Sequence, residues 1–172
     1  MTIALGDALE TLEFAAVLEI VAGYAVGDAG KARVRGRLPT DDVASIREQL
    51  AAVGEVAALL RRGESLAAEP VPDVAGPLAR LRIEGAVLEG RELAALGRLL
   101  AAARLVLAEL RRVADDCPRA AALAVVLPDR AIDRRLAESV DEEGEVLDTA
   151  SPALAAARQT VQASRARLVK RL

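Results

Sequence analysis

The residue types that most often carry catalysis are scarce in this chain. It has 172 residues, no histidine and a single cysteine, Cys117. Triads in which a histidine activates a serine or cysteine are therefore excluded, and one cysteine without histidine is too few for a zinc site. Adjacent acids such as Asp41–Asp42 and Asp115–Asp116 usually cap helices or face solvent rather than exchange protons. We therefore predict no catalytic residue, no cofactor site and no metal site in this chain.

A glycine-rich segment, Gly27–Ala32, resembles the phosphate-binding loop of nucleotide-binding proteins. That loop requires a glycine five residues before its Gly-Lys pair and a Ser or Thr directly after the lysine. Ala25 and Ala32 occupy these two positions here, and no apolar strand precedes the segment. The sequence therefore favours a junction between two helices over a phosphate cradle.

Five carboxylates fall within eight residues near the C-terminus, and they are Asp141, Glu142, Glu143, Glu145 and Asp148. A calcium loop places glycine at its sixth position and glutamate at its twelfth. Counted from Asp141, glycine stands fourth and Pro152 stands twelfth. A divalent-metal loop and a solvated turn are the two interpretations, and the spacing favours the turn.

The last part of the chain is basic. No acid follows Asp148, and because the formal net charge is −3, the first 148 residues carry −8. The five bases of this tail are candidate nucleic-acid contacts, and they are Arg158, Arg165, Arg167, Lys170 and Arg171. Their charge surrounds a predicted helix instead of forming one stripe, so a solvated helix with one buried apolar side is the alternative.

Helices must position these residues. Apolar residues make up 53% of the chain and aromatic residues only 1%, and Ala, Leu and Val, of which Ala and Leu favour helices, dominate. Apolar positions recur at three- and four-residue steps over residues 12–24, 43–60 and 93–110. Thr40 is the predicted N-cap of the second segment. These patterns predict an all-α fold with a multi-helix, bundle-like core.

The pattern changes to that of a strand near residues 139–148. Short apolar runs around Val140 and Val146 flank Glu142–Gly144, and the glycine can adopt the positive φ of a turn. We expect a small β-hairpin there. Ser151 and Pro152 then fit the N-cap and first position of a final helix, which has no stop signal before Leu172.

Neither a secretion signal nor a membrane span is evident in the sequence. The N-terminus lacks a basic segment, and the uncharged stretches are far shorter than a bilayer requires. We therefore expect a cytoplasmic location with no membrane partner.

Residues 141–154 read DEEGEVLDTASPAL. This segment resembles Asp-x-x-Gly-Glu-Val-Leu-Asp-Ser-Ala-Ser-Pro-Glu-Leu, which characterises the second bacterial MutS subfamily (MutS-two). Other matches in the family's order and approximate spacing are Leu12–Phe14, Ile20, Gly30–Lys31, Pro39–Asp41 and Gly85–Leu88. The departures are Thr149 in place of Ser, Ala153 in place of Glu, and Glu89 where a Ser cap is common.

The resemblance implies the N-terminal core region of such a protein, with a helical core domain over residues 1–150. Residues 151–172 would start the lever helix that leads to the clamp. Family members continue into a dimerising ATPase, for which ATP and Mg²⁺ are expected, and usually into an Smr endonuclease domain. They are linked to branched or mismatched DNA, suppression of homologous recombination, rRNA binding and rescue of collided ribosomes.

Two hypotheses about the chain's role follow. In the first, it is a structural relay whose partners are the clamp and ATPase domains of a homodimeric parent, and it couples nucleotide state to clamp position. In the second, it is a stand-alone helical protein-interaction module.

Overall fold

The computed structural model describes residues 5–66 and 70–169 of the chain. These residues form helices joined by turns and loops, as the composition predicts. The helices are α1 (Leu5–Thr11), α2 (Phe14–Ala22), α3 (Asp28–Arg35), α4 (Val43–Arg61), α5 (Ala75–Arg80), α6 (Gly90–Arg112), α7 (Pro118–Ala121), α8 (Arg130–Ser139) and α9 (Pro152–Val169). A short 3-10 turn spans Asp148–Ala150. The predicted all-α class is therefore confirmed.

The predicted β-hairpin at residues 139–148 is wrong. None of the described residues forms an extended strand, and one antiparallel bridge between Val140 and Val146 closes the turn instead. The Leu147 amide donates to the Ser139 carbonyl at 3.0 Å, and Gly144 takes a φ of +87°. Because α8 continues to Ser139 and a 3-10 turn begins at Asp148, too few residues remain for two strands. We call residues 141–147 the bridge turn.

Capping side chains mark the starts of α4 and α9. The Ser151 hydroxyl accepts a hydrogen bond from the Leu154 amide at 3.1 Å, which confirms the predicted cap of α9. The predicted N-cap of α4 is wrong by two residues, since Asp42 and not Thr40 caps this helix. The Asp42 carboxylate accepts from the Ala44 amide at 3.0 Å, while the Thr40 hydroxyl accepts from the Asp42 amide.

The chain divides into two compact units. The first unit comprises Met1–Asp73 and Ala102–Val126, and the second comprises Val74–Ala101 and Leu127–Leu172. The boundary crosses α6, so its first half belongs to the second unit and its remainder to the first. In the described part of the chain, no helix is both long enough and apolar enough to cross a membrane.

The core of the first unit joins α4, the end of α6 and α7. Leu59 and Val113 are fully buried there beside Cys117, and Leu110 packs against them. Burying such side chains stabilises the fold by roughly 2 kcal/mol each. Cys117 fits this apolar site as a small side chain.

Much of the apolar surface predicted to be core is exposed. On α2, Ile20 is 66% exposed, and on α4, Leu50 and Val53 are 64% and 65% exposed. The sequence periodicity places apolar residues along one side of α2 and of α4. It does not determine whether another part of the described chain covers that side.

The second unit depends on a close approach between the bridge turn and the start of α6. A Cβ added at Gly144 would lie 2.6 Å from the Arg91 Cα and 2.7 Å from the Gly90 carbonyl carbon. No side chain fits in that space. The Arg98 guanidinium also donates to the Glu142 carbonyl at 3.1 Å, which fixes the turn on α6.

We predict that Gly144→Ala lowers the free energy of unfolding much more than Gly85→Ala does. Both glycines have positive φ, +87° and +79°, so each substitution incurs backbone strain of about 1–2 kcal/mol. Only at Gly144 does the new methyl group also collide with the backbone of α6. Denaturant unfolding measures both values, and equal losses would contradict the close packing.

Candidate functional site

The basic residues of the tail do not form one continuous patch in the described structure. Arg158 pairs with Asp148, with 2.6 Å between its Nη1 and the carboxylate oxygen. Arg165 and Arg167 lie exposed on the C-terminal half of α9. The predicted contacts Lys170 and Arg171 lie outside the described residues. Arg158 is therefore partly neutralised by its own chain, and the nucleic-acid assignment stays a prediction.

The acidic segment and the glycine-rich segment both have structural roles. The Asp141 carboxylate accepts the Glu145 amide at 2.8 Å, which closes the bridge turn. Gly27 precedes α3 and Gly30 lies within it, so no open phosphate loop is formed. Lys31 pairs with Asp28 on the same helix at 3.2 Å. No group of three or more potential metal ligands occurs among the residues that the structure describes.

A groove lies in the second unit between α6, α8 and the bridge turn. Its volume is about 510 Å³. Apolar side chains form most of its lining, and they include Leu93, Leu136, Val140 and Leu147. The lining also includes Ala94, Gly97 and Ala101, whose small side chains project little from α6.

Carboxylates stand beside this groove. Asp133, Asp141 and Glu142 line it, with Arg98 as the one base among its described lining residues. A groove with apolar walls and net negative charge suits an apolar, positively charged segment. Sequence reasoning missed this groove because its walls come from segments some forty residues apart. The spacing of Ala94, Gly97 and Ala101 was the available signal.

A second, smaller cavity lies in the first unit. It has a volume of about 410 Å³ and is lined by residues such as Leu9, Phe14 and Leu18. At its edge the Arg35 guanidinium binds both carboxylate oxygens of Glu19, at 2.7 and 2.9 Å. The hydrogen bond from Arg35 lowers the pKa of the Glu19 carboxyl. This bidentate pair joins α2 to α3.

Ion pairs also fix α7 against α4. The Glu55 carboxylate accepts from the backbone amide of Arg119 at 2.9 Å and from its guanidinium at 2.6 Å. Glu48 accepts from the same guanidinium at 3.0 Å. Burial alone would raise the pKa of the Glu55 carboxyl, but the bonds from Arg119 outweigh this effect and lower it.

The surroundings of Cys117 indicate a structural residue rather than a reactive one. Its side chain is fully buried, and burial, followed by the neighbouring Glu55 carboxylate, raises the pKa of its thiol. A thiol with a raised pKa is largely protonated near neutral pH and is a poor nucleophile.

Comparison with known proteins adds the evidence of relatedness. No protein-family model matches the chain, and no solved structure matches it significantly. The chain is 35% identical to Endonuclease MutS2 of Gemmatimonas aurantiaca, over 96% of this chain and 21% of that protein. It is 30% identical to Endonuclease MutS2 of Geobacillus thermodenitrificans, over 95% of this chain and 21% of that protein. It is 29% identical to Endonuclease MutS2 of Lactiplantibacillus plantarum, over 90% of this chain and 20% of that protein.

The chain is thus similar, over nearly its whole length, to one region of a class of much longer bacterial proteins. It spans about a fifth of the length of the curated relatives that it matches. Those relatives are MutS2 proteins, and the chain resembles the MutS2 N-terminal region. The resemblance predicted from residues 141–154 is therefore confirmed.

We predict that acid destabilises the first unit partly through Glu55. Its pKa is lowered in the folded state, so its stabilising contribution is complete above its unfolded pKa of about 4.3 and is lost as the pH falls through the folded value. Glu55→Gln removes that contribution and should flatten the fall in the free energy of unfolding below about pH 4.3.

The measurement is denaturant unfolding at a series of pH values from neutral to acid. Glu10→Gln, which removes one exposed carboxyl from the same unit, controls for the change in net charge. A Glu55→Gln profile identical to that of Glu10→Gln would contradict the role of the Arg119 pair.

Proposed function

We propose that this chain is the non-catalytic core and the start of the lever of a MutS2-type protein. The observation that carries the proposal is the alignment of 96% of the chain with about a fifth of a MutS2 protein. The relatives are named as endonucleases, and the endonuclease activity of such a protein would reside in the four-fifths that this chain does not match.

The contacts at the base of α9 support a mechanical role. Arg158 on α9 binds Asp148, which begins the 3-10 turn. The Thr149 hydroxyl donates to the Glu138 carbonyl at the end of α8 at 2.6 Å, and Ser151 caps α9. A displacement of α9 would therefore act on the 3-10 turn through an ion pair, and through the Thr149 hydrogen bond on α8.

In this proposal the chain relays the nucleotide state of an ATPase domain to a clamp on nucleic acid. ATP and Mg²⁺ would bind to that ATPase domain, and the parent would act as a homodimer in the cytoplasm. Its targets would be branched or mismatched DNA, in suppression of homologous recombination, and the rRNA of collided ribosomes.

The alternative is a stand-alone helical interaction module. The exposed apolar sides of α2 and α4 support it, because a free-standing protein rarely leaves such faces uncovered without a partner. The two functions differ in the size of the native polypeptide.

The mass of the native gene product tests the two functions. We expect immunoblotting and intact-mass measurement to give a polypeptide far larger than 18.0 kDa, as in the relatives. A native product near 18.0 kDa would contradict the relay and favour the interaction module.

We further predict that the 172-residue chain by itself binds DNA and RNA only weakly. Of its candidate contacts, Arg158 is already paired with Asp148, and an acidic body repels phosphate. At physiological salt we expect a Kd weaker than about 10 μM, in the non-specific range. Fluorescence anisotropy measures it, and tight binding that is lost in Arg158→Ala plus Arg165→Ala would overturn this expectation.

A further inference from the structure

The groove of the second unit has the chemistry to hold an apolar helix with positive charge. Its walls present Leu93, Leu136 and Val140, and the carboxylates of Asp141 and Glu142 line it. The cavity of about 510 Å³ is open along the surface of α6 and α8. An occupant must therefore bring both apolar side chains and bases.

The C-terminal half of α9 presents that combination. Val161 is 50% exposed and Leu168 is 65% exposed. At 100° per residue these two side chains lie about 20° apart around the helix, and Arg165 lies about 40° from Val161 on the other side. No acid occurs between Thr149 and Leu172, so the only charges on this surface are positive.

The length of the groove matches the spacing of the two apolar side chains on this helix. Val161 and Leu168 are seven residues apart, which is about 10 Å along a helix. The α6 wall of the groove runs from Leu93 to Ala101, which is about 12 Å. Both apolar side chains of α9 can therefore enter the groove together, with Arg165 facing the carboxylates.

We propose that the groove binds the C-terminal half of α9 from a second copy of the chain. The groove's described lining comes from α6, α8 and the bridge turn, so its own α9 does not occupy it. Each copy carries both the groove and the helix, and the contact can therefore be made twice in a two-fold dimer. The opposite charges of the two surfaces favour this occupant over an acidic one.

Gly97 provides the sharpest test. It lines the groove, and a Cβ added there meets no atom within 4 Å. Gly97→Leu should therefore fill the groove without disturbing α6, and leucine favours a helix more than glycine does. We expect sedimentation velocity of the 172-residue chain to show a concentration-dependent dimer, with a Kd at least tenfold weaker in Gly97→Leu and weaker at high salt.

Charge-reversing substitutions of exposed residues supply an independent test. Arg165→Glu and Glu142→Arg should each weaken the dimer, and the double variant should restore it. Val126→Glu, at a side chain that is 99% exposed and outside the groove, is the matched control and should leave the dimer unchanged. Circular dichroism verifies that each variant is folded.

Two results would overturn the proposal. One is a folded wild-type chain that remains monomeric up to several hundred micromolar at low salt. The other is a dimer whose Kd is the same in Gly97→Leu and Arg165→Glu as in the wild type, since its interface would then lie elsewhere.

Discussion

The close approach of the bridge turn to the first turn of α6 is the constraint on which the second unit depends. It is possible only because residues 90 and 144 are both glycine, since a side chain at Gly144 would overlap the backbone of α6. This contact holds the bridge turn against α6, and Asp141, Glu142 and Leu147 of that turn line the groove.

The contacts at the base of α9 connect this helix with the rest of the second unit. The Asp148–Arg158 pair and the Thr149–Glu138 hydrogen bond connect α9 with α8. Beyond these contacts the helix is exposed, with Val161 and Leu168 open to a partner. A helix fixed at one end and exposed at the other suits both a lever and a docking segment.

The sequence predicted the local features well because they depend on neighbouring residues. The cap at Ser151, the all-α class and the resemblance over residues 141–154 all rest on short patterns. The β-hairpin failed because α8 extends to Ser139 and the 3-10 turn begins at Asp148, and the residues between them form only a single bridge. The groove and the exposure of Leu50 were not predicted, since both depend on segments distant in the sequence.

In the proposed relay, α9 transmits nucleotide state through its contacts with α8 and the 3-10 turn. Amide hydrogen exchange of the full-length MutS2-type protein, with and without an ATP analogue, tests it most directly. If α9 relays nucleotide state, exchange across residues 138–158 changes when nucleotide binds, and Asp148→Ala abolishes this change. Exchange that is identical in the two states across these residues, while the nucleotide site itself becomes protected, would contradict the relay.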